Sequence, residues 1–300
     1  MIGQGGRRVN ARKAWRGLVC VTLAGLFLYP VASAAAPGRT PRSYVALGDS
    51  YTAGPGIPQP VGDPPGCVRS DHNYPSLVAP SFKLPAVRDA SCSGATTADM
   101  TSAQSVGSVP NPPQFDRLDA NTRVVTLQIG GNDIGFYEIA YACAAYNPNA
   151  SPCQDRYLRN QADELSRRIA AVAPRVKELL RRIHARSPDA RVYVVGYPSI
   201  LPATGTGCWP TLPYSVSDVP YLRNVEGALN AMLRAQAAAT RSVYVDTATP
   251  SAGHDACQPP DVRWVEPVFG GAGVPLHPNA AGMQGMASAV LATVRAQGRK

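Results

Sequence analysis

Apolar residues along this chain follow two rhythms. The first is a set of short runs dense in β-branched and aromatic residues. They lie at 44–47 (Tyr-Val-Ala-Leu), 123–129 (Arg-Val-Val-Thr-Leu-Gln-Ile), 191–196 (Arg-Val-Tyr-Val-Val-Gly) and 242–245 (Ser-Val-Tyr-Val). Runs of this length and composition predict strands. The second rhythm is a three-to-four spacing. Over 157–185 it runs through Leu158, Ala162, Leu165, Ile169, Val172, Val176, Leu179, Leu180 and Ile183, one face of a helix. Pro174 is expected to kink or divide that helix. Leu222, Val225, Leu229, Met232 and Leu233 predict a second helix over 221–239. Asn279 can cap a last helix to about residue 295, because its side chain can accept from free backbone N–H groups. Strands alternating with helices predict an α/β fold with a mostly parallel sheet covered on both faces. No internal repeat and no interdomain linker is visible, so one domain is expected over 35–300.

The first 34 residues follow neither rhythm. Arg7, Arg8, Arg12, Lys13 and Arg16 form a basic head without an acid. An apolar run follows from Gly17 to Tyr29, then Ala32-Ser33-Ala34. This three-part layout predicts a secretory signal peptide over 1–34, cleaved near Ala34, and a secreted protein. The apolar run is thirteen residues long, whereas a membrane span needs about 20. The residues after Arg7-Arg8 argue against a twin-arginine signal, and those before Cys20 against a lipoprotein. No stable membrane insertion is expected after cleavage.

Composition narrows the function classes. The 300 residues are 45% hydrophobic and 16% charged, which excludes a disordered chain. The formal charge of +9 becomes +4 over 266 residues once the signal is removed, with no clustered Lys/Arg patch. Nucleic acid is therefore not an expected partner. Cys67, Cys92, Cys143, Cys153, Cys208 and Cys257 remain. An even set in an exported chain reads as disulfides. Fifteen connectivities are possible, of which nearest-neighbour pairing is the simplest. No C-x-x-C occurs, so a zinc or redox site is not expected.

The chemistry lies where strands end, since α/β sheets display catalytic groups there. Gly48-Asp49-Ser50-Tyr51-Thr52 follows the first strand and holds a serine at a sharp turn. Ser93-Gly94-Ala95-Thr96-Thr97 offers a glycine N–H. Gly130-Gly131-Asn132-Asp133 lets the backbone approach something closely and adds an amide donor. His277-Pro278-Asn279 places a histidine at a loop-to-helix junction. Singly, each reads as an ordinary turn or cap. Together, Ser50, Gly94, Asn132 and His277 supply a nucleophile, a base and the N–H donors that an acyl-transfer oxyanion needs.

The four blocks, in this order, resemble the GDSL family of lipases and esterases, also called SGNH hydrolases, from residue 43 to about 296. The successive cysteines and Gly253-His254-Asp255-Ala256-Cys257 are similar to its secreted actinobacterial branch. The resemblance implies a three-layer α/β/α, flavodoxin-like SGNH-hydrolase fold. It implies Ser50 as nucleophile and His277 as base and then acid. The oxyanion hole would be the N–H groups of Ser50 and Gly94 with the Asn132 side chain. No cofactor and no metal are implied. The expected activity is hydrolysis of small-molecule or lipid carboxylic esters by a monomer. A polysaccharide O-acetyl esterase is the alternative, and a non-catalytic binding module a third reading. The α/β-hydrolase motif G-x-S-x-G and the zinc motif H-E-x-x-H are both absent.

One position departs from the family pattern. Where the family has an acid three residues before the histidine, this chain has Val274. The expectation is a Ser-His dyad in which the Val274 carbonyl orients His277. Asp255, Asp246 and Glu266 are the alternative orienting acids. Asp49 and Asp133 are read as shaping their turns. His72, His184 and His254 are read as structural, with His254 the one that could line the site. The Pro/Gly-rich loop 54–66 and the Cys143–Cys153 loop are expected to shape the acyl pocket.

Overall fold

The computed structural model describes residues 41–159 and 162–298. The expected signal peptide lies outside them. Five parallel strands form the central sheet: β1 (Ser43–Gly48), β2 (Ala86–Asp89), β3 (Thr122–Gln128), β4 (Arg191–Val195) and β5 (Val243–Val245). Their order is β2-β1-β3-β4-β5. The α-helices among the described residues are α1 (Ser50–Ala53), α2 (Tyr74–Phe82), α3 (Phe136–Ala142), α4 (Pro152–Tyr157), α5 (Glu164–Arg186), α6 (Asp218–Ala238) and α7 (Ala280–Gln297).

The strand alternation is divided between two cores. Val45, Leu47, Val125, Leu127, Val192 and Val194 point to one face, against α5 and α6. Tyr44, Ala46, Tyr193, Val195 and Val245 point to the other, against α2 and α7. Period-two side chains with apolar cover on both faces produce a three-layer α/β/α sandwich.

Four strands lie where the apolar runs predict them. The fifth, β2, is an edge strand whose Val87 is exposed and whose Arg88 and Asp89 mask its signal. The long helix begins later than its periodicity implies. Leu158–Arg159 pairs antiparallel with Ala162–Asp163, and the Asp163 side chain then caps α5 by accepting from Leu165 N–H. Pro174 does not divide α5, which is continuous. Pro174 and Ala170 both face solvent, so water can take the carbonyl that the proline leaves free. Asn279 caps α7 through Gly282 N–H. The cysteines join as nearest neighbours, Cys67–Cys92, Cys143–Cys153 and Cys208–Cys257.

Candidate active site

The site is built on the carboxyl ends of the strands, beside β1 and β3, where the strand order reverses. The chain leaves β1 at Gly48, where there is no room for a side chain. A Cβ there would sit 2.2 Å from Thr52 Oγ1 and 2.7 Å from the Gln128 carbonyl oxygen. Gln114 fixes Gly48 by accepting its N–H at 2.8 Å and donating to its carbonyl at 2.9 Å. The buried Asp49 accepts from Tyr51 N–H and so caps α1. Ser50 is therefore the first residue of a helix, where a backbone N–H has no helical partner. That N–H meets no protein acceptor among the described residues.

Gly94 follows β2 in the left-handed region, with φ 79°. Its N–H also has no protein acceptor among the described residues. Asn132 follows β3 and donates one amide hydrogen to the Ala95 carbonyl at 2.9 Å. Its second amide hydrogen remains available to the site. Thus the Gly94 and Asn132 blocks are tied to each other.

Across 227 residues of sequence, His277 Nε2 lies 2.8 Å from Ser50 Oγ. Its Nδ1 lies 2.8 Å from the carbonyl oxygen of Pro275. A carbonyl can only accept, so Nδ1 carries the hydrogen and Nε2 is left with a lone pair for the serine hydroxyl. The expected orienting carbonyl, that of Val274, is not in this position. It accepts the backbone N–H of His277 at 3.2 Å instead. The reason is Leu276, whose φ of 61° turns the chain so that the Pro275 carbonyl reaches the ring. Three bonds hold this strained residue: Leu276 N–H to the Glu266 carbonyl, Glu266 N–H to the His277 carbonyl, and Tyr51 hydroxyl to the Leu276 carbonyl.

None of the alternative acids contacts His277. Asp255 accepts from Cys257 N–H and Gln258 Nε2. Asp246 caps the turn at Ala248 and Thr249. Glu266 is buried against Arg263, Ala272 N–H and Asn279. His254 stacks on Trp264 and bonds the Val262 carbonyl, His184 bonds Ser242, and His72 bonds Asp71. Burial pushes the His277 imidazolium pKa down, while the Pro275 carbonyl pulls weakly the other way.

Tyr197, just past β4, is a site residue that the motif reading missed. Its hydroxyl donates to Asp49 and accepts from Gly131 N–H at 3.0 Å, joining the first and third blocks. Its place at a strand end was the available signal. Burial raises the Asp49 pKa to about 7, against the pull of the Tyr197 and Tyr51 bonds.

A pocket of about 90 Å³ begins at Ser50 and Asn132. Its walls are almost wholly apolar: Phe136 and Ile139 of α3, Ile200 and Leu201 after β4, and Leu222, Val225 and Leu229 of α6. The Pro/Gly-rich loop 54–66 does not line it. That loop packs behind the histidine loop instead, where a Cβ on Gly56 would meet Val274 Cγ2 at 2.9 Å. The Cys143–Cys153 loop contributes no lining residue either; α3, just before it, does. Among the described residues, no group of three or more His, Cys, Asp or Glu side chains is placed to hold a metal ion. No helix among them is long and apolar enough to cross a membrane.

The sequence profile of GDSL-like lipases and acylhydrolases matches residues 46–284. The chain belongs to this family. It is 44% identical over 264 residues to Lipase 2 of Streptomyces coelicolor, covering 84% of this chain and 86% of the relative. The crystal structure of phospholipase A1 from Streptomyces albidoflavus superposes with a TM-score of 0.68 at 27% identity, covering 86% of this chain and 99% of that one. The extracellular lipase of Streptomyces rimosus gives 0.69 at 26% identity, covering 84% and 99%. This GDSL-family member is accordingly a carboxylic ester hydrolase with the three-layer SGNH fold.

Proposed function

We propose that the protein is a secreted serine hydrolase that cleaves lipid or other apolar carboxylic esters through a Ser50–His277 dyad. The observation that carries this is the pair of contacts on one imidazole, Ser50 Oγ at Nε2 and the Pro275 carbonyl at Nδ1. In acylation, Nε2 takes the hydroxyl proton as Ser50 Oγ bonds to the ester carbonyl carbon. The resulting oxyanion is met by the N–H groups of Ser50 and Gly94 and the free Asn132 amide hydrogen. The imidazolium then gives its proton to the departing alkoxide, which leaves as the alcohol. Water, deprotonated by the same Nε2, attacks the acyl-serine and releases the acid. The Pro275 carbonyl stabilises the imidazolium less than a carboxylate does, since it carries no net charge.

The apolar pocket takes the acyl group. A deacetylase has no need of an extended apolar wall, and this pocket has one, built from α3, the segment after β4 and α6. One observation favours the second reading, a sugar O-acetyl esterase. Tyr137 and Tyr141 of α3, Tyr146 beyond it, Trp209 and Phe269 are all exposed, and such rings can stack on sugars. The same rings suit a lipid–water interface, where amphipathic aromatics settle. The pocket favours lipid. Export follows from the basic head, apolar run and small-residue site of 1–34, and 35–300 is the catalytic domain.

The test is hydrolysis of nitrophenyl esters from acetate to palmitate by the mature protein and by Ser50→Ala. Activity that disappears in the variant and extends to long chains is expected. Cleavage of acetylated xylan with no activity on long-chain esters would favour the sugar reading. Full activity in Ser50→Ala would overturn the mechanism.

A further inference from the structure

Helix α6 turns Leu222, Val225, Glu226 and Leu229 toward the acyl pocket. Three are aliphatic and one is a carboxyl. Glu226 Oε1 accepts the Ile200 N–H at 3.2 Å, which helps hold the loop after β4. That bond does not require a titratable group, because a glutamine oxygen accepts equally well.

No lysine or arginine pairs with Glu226 among the described residues. The guanidinium that acts on it, Arg223, is committed elsewhere: Nε donates to the Pro202 carbonyl and Nη2 to that of Gly205. The other titratable groups facing it are Asp255, Tyr51 and Tyr214, with Asp49 and Tyr197 on the same pocket wall. None of these is a cation. Asp255 repels a charge on Glu226 and the tyrosines offer it no positive partner, while the Ile200 and Leu201 N–H groups and Arg223 pull the other way without outweighing burial.

Glu226 is half-buried, and it lines the pocket. An acyl chain laid along α6 covers it further. A neutral carboxyl tolerates that cover, whereas an unpaired carboxylate loses its remaining water. We propose that Glu226 is a specificity-determining residue that makes acyl-chain selection depend on pH: long apolar chains enter beside the neutral carboxyl and are rejected by the carboxylate, while acetyl esters are indifferent. This rests on the reading that the acyl group occupies this pocket. Burial, the largest influence on the group, raises its pKa to about 8, so the change falls in an accessible range.

The experiment measures kcat/KM for nitrophenyl octanoate, below its micelle concentration, and for nitrophenyl acetate, between pH 6 and 9.5. The octanoate-to-acetate ratio cancels whatever acts on Ser50 and His277 alike. In the wild type this ratio is expected to fall about tenfold between pH 7 and 9, mainly through KM, as one group titrates near 8. In Glu226→Gln the ratio stays level, and octanoate hydrolysis at pH 9 exceeds that of the wild type by a similar factor. A level ratio in the wild type, or the same fall in Glu226→Gln, overturns the proposal while leaving the hydrolase reading intact. A wild-type protein that cleaves neither ester overturns both.

Discussion

The Asp133 carboxylate accepts both the backbone N–H of Thr97, at 2.9 Å, and the Thr97 hydroxyl. The Asp133 side chain is only 2% exposed, and Arg175 lies 3.7 Å away on its solvent side. Together with the Asn132–Ala95 bond, this clamps the turn after β2 to the turn after β3. Gly94 and Asn132, the two proposed oxyanion donors outside the serine block, are set at a fixed separation by that clamp. Asp133→Ala is therefore expected to lower kcat by up to about 100-fold, the scale of an ångström-sized displacement in a catalytic constellation. KM for a short ester should change little, because Asp133 does not line the pocket. Steady-state kinetics on nitrophenyl acetate checks this. A rise in KM at constant kcat would show that the clamp shapes binding instead.

The three acids once available to orient His277 are each occupied elsewhere in the fold. Asp255→Asn should accordingly keep activity within a few-fold of wild type. The nearby turn keeps an acceptor for Cys257 N–H in that variant. A loss on the order of a thousand-fold, the scale seen when a true triad acid is removed, would contradict a dyad completed by the Pro275 carbonyl.

What could be read from sequence follows from how locally each feature is determined. The strands were legible because burial on both faces makes them nearly continuous apolar runs. The edge strand β2 was not, because half of it faces water. Helix α2 carries Pro75 and Pro80 and broke the helical signal, although Asn73 caps it and Tyr74 and Val78 are buried. The four blocks bearing Ser50, Gly94, Asn132 and His277 were legible as strand-end turns. Their meeting is a property of the sheet order. The carbonyl that orients His277 was misplaced by one residue. A left-handed leucine has no sequence signature, since glycine is the residue that ordinarily marks such a bend. Tyr197 and Glu226 lay in no motif; only packing brings them to the site.

His277 works as a base only when neutral. Burial favours the neutral form, and among the described residues no carboxylate touches the ring to oppose it. The acid limb of kcat/KM for a short ester should rise with pH around a midpoint below the ordinary histidine value of about 6.5. Asp49→Asn serves as the control for titration beside the serine. A midpoint displaced upward, in both wild type and control, would reveal a carboxylate acting on the imidazole.

Asp49 makes a prediction about stability. Its folded pKa is raised from 3.8 to about 7, chiefly by burial. Between those values the folded state holds a proton that the unfolded state has released. Its contribution is therefore fully present below about pH 4 and is lost as pH rises through about 7. At 1.36 kcal/mol per unit, the loss is roughly 4 kcal/mol at most, reduced if the surroundings relax around the charge. Asp49→Asn keeps an oxygen for the Tyr51 N–H and cannot ionise. Its stability relative to wild type should improve steadily from pH 4 to pH 8, as read from urea unfolding midpoints at several pH values. Improvement in the opposite direction would mean that the Tyr197 and Tyr51 hydrogen bonds overcome burial. Asp49 would then be a stabilised carboxylate beneath the serine, its negative charge set against the oxyanion that Ser50 must generate.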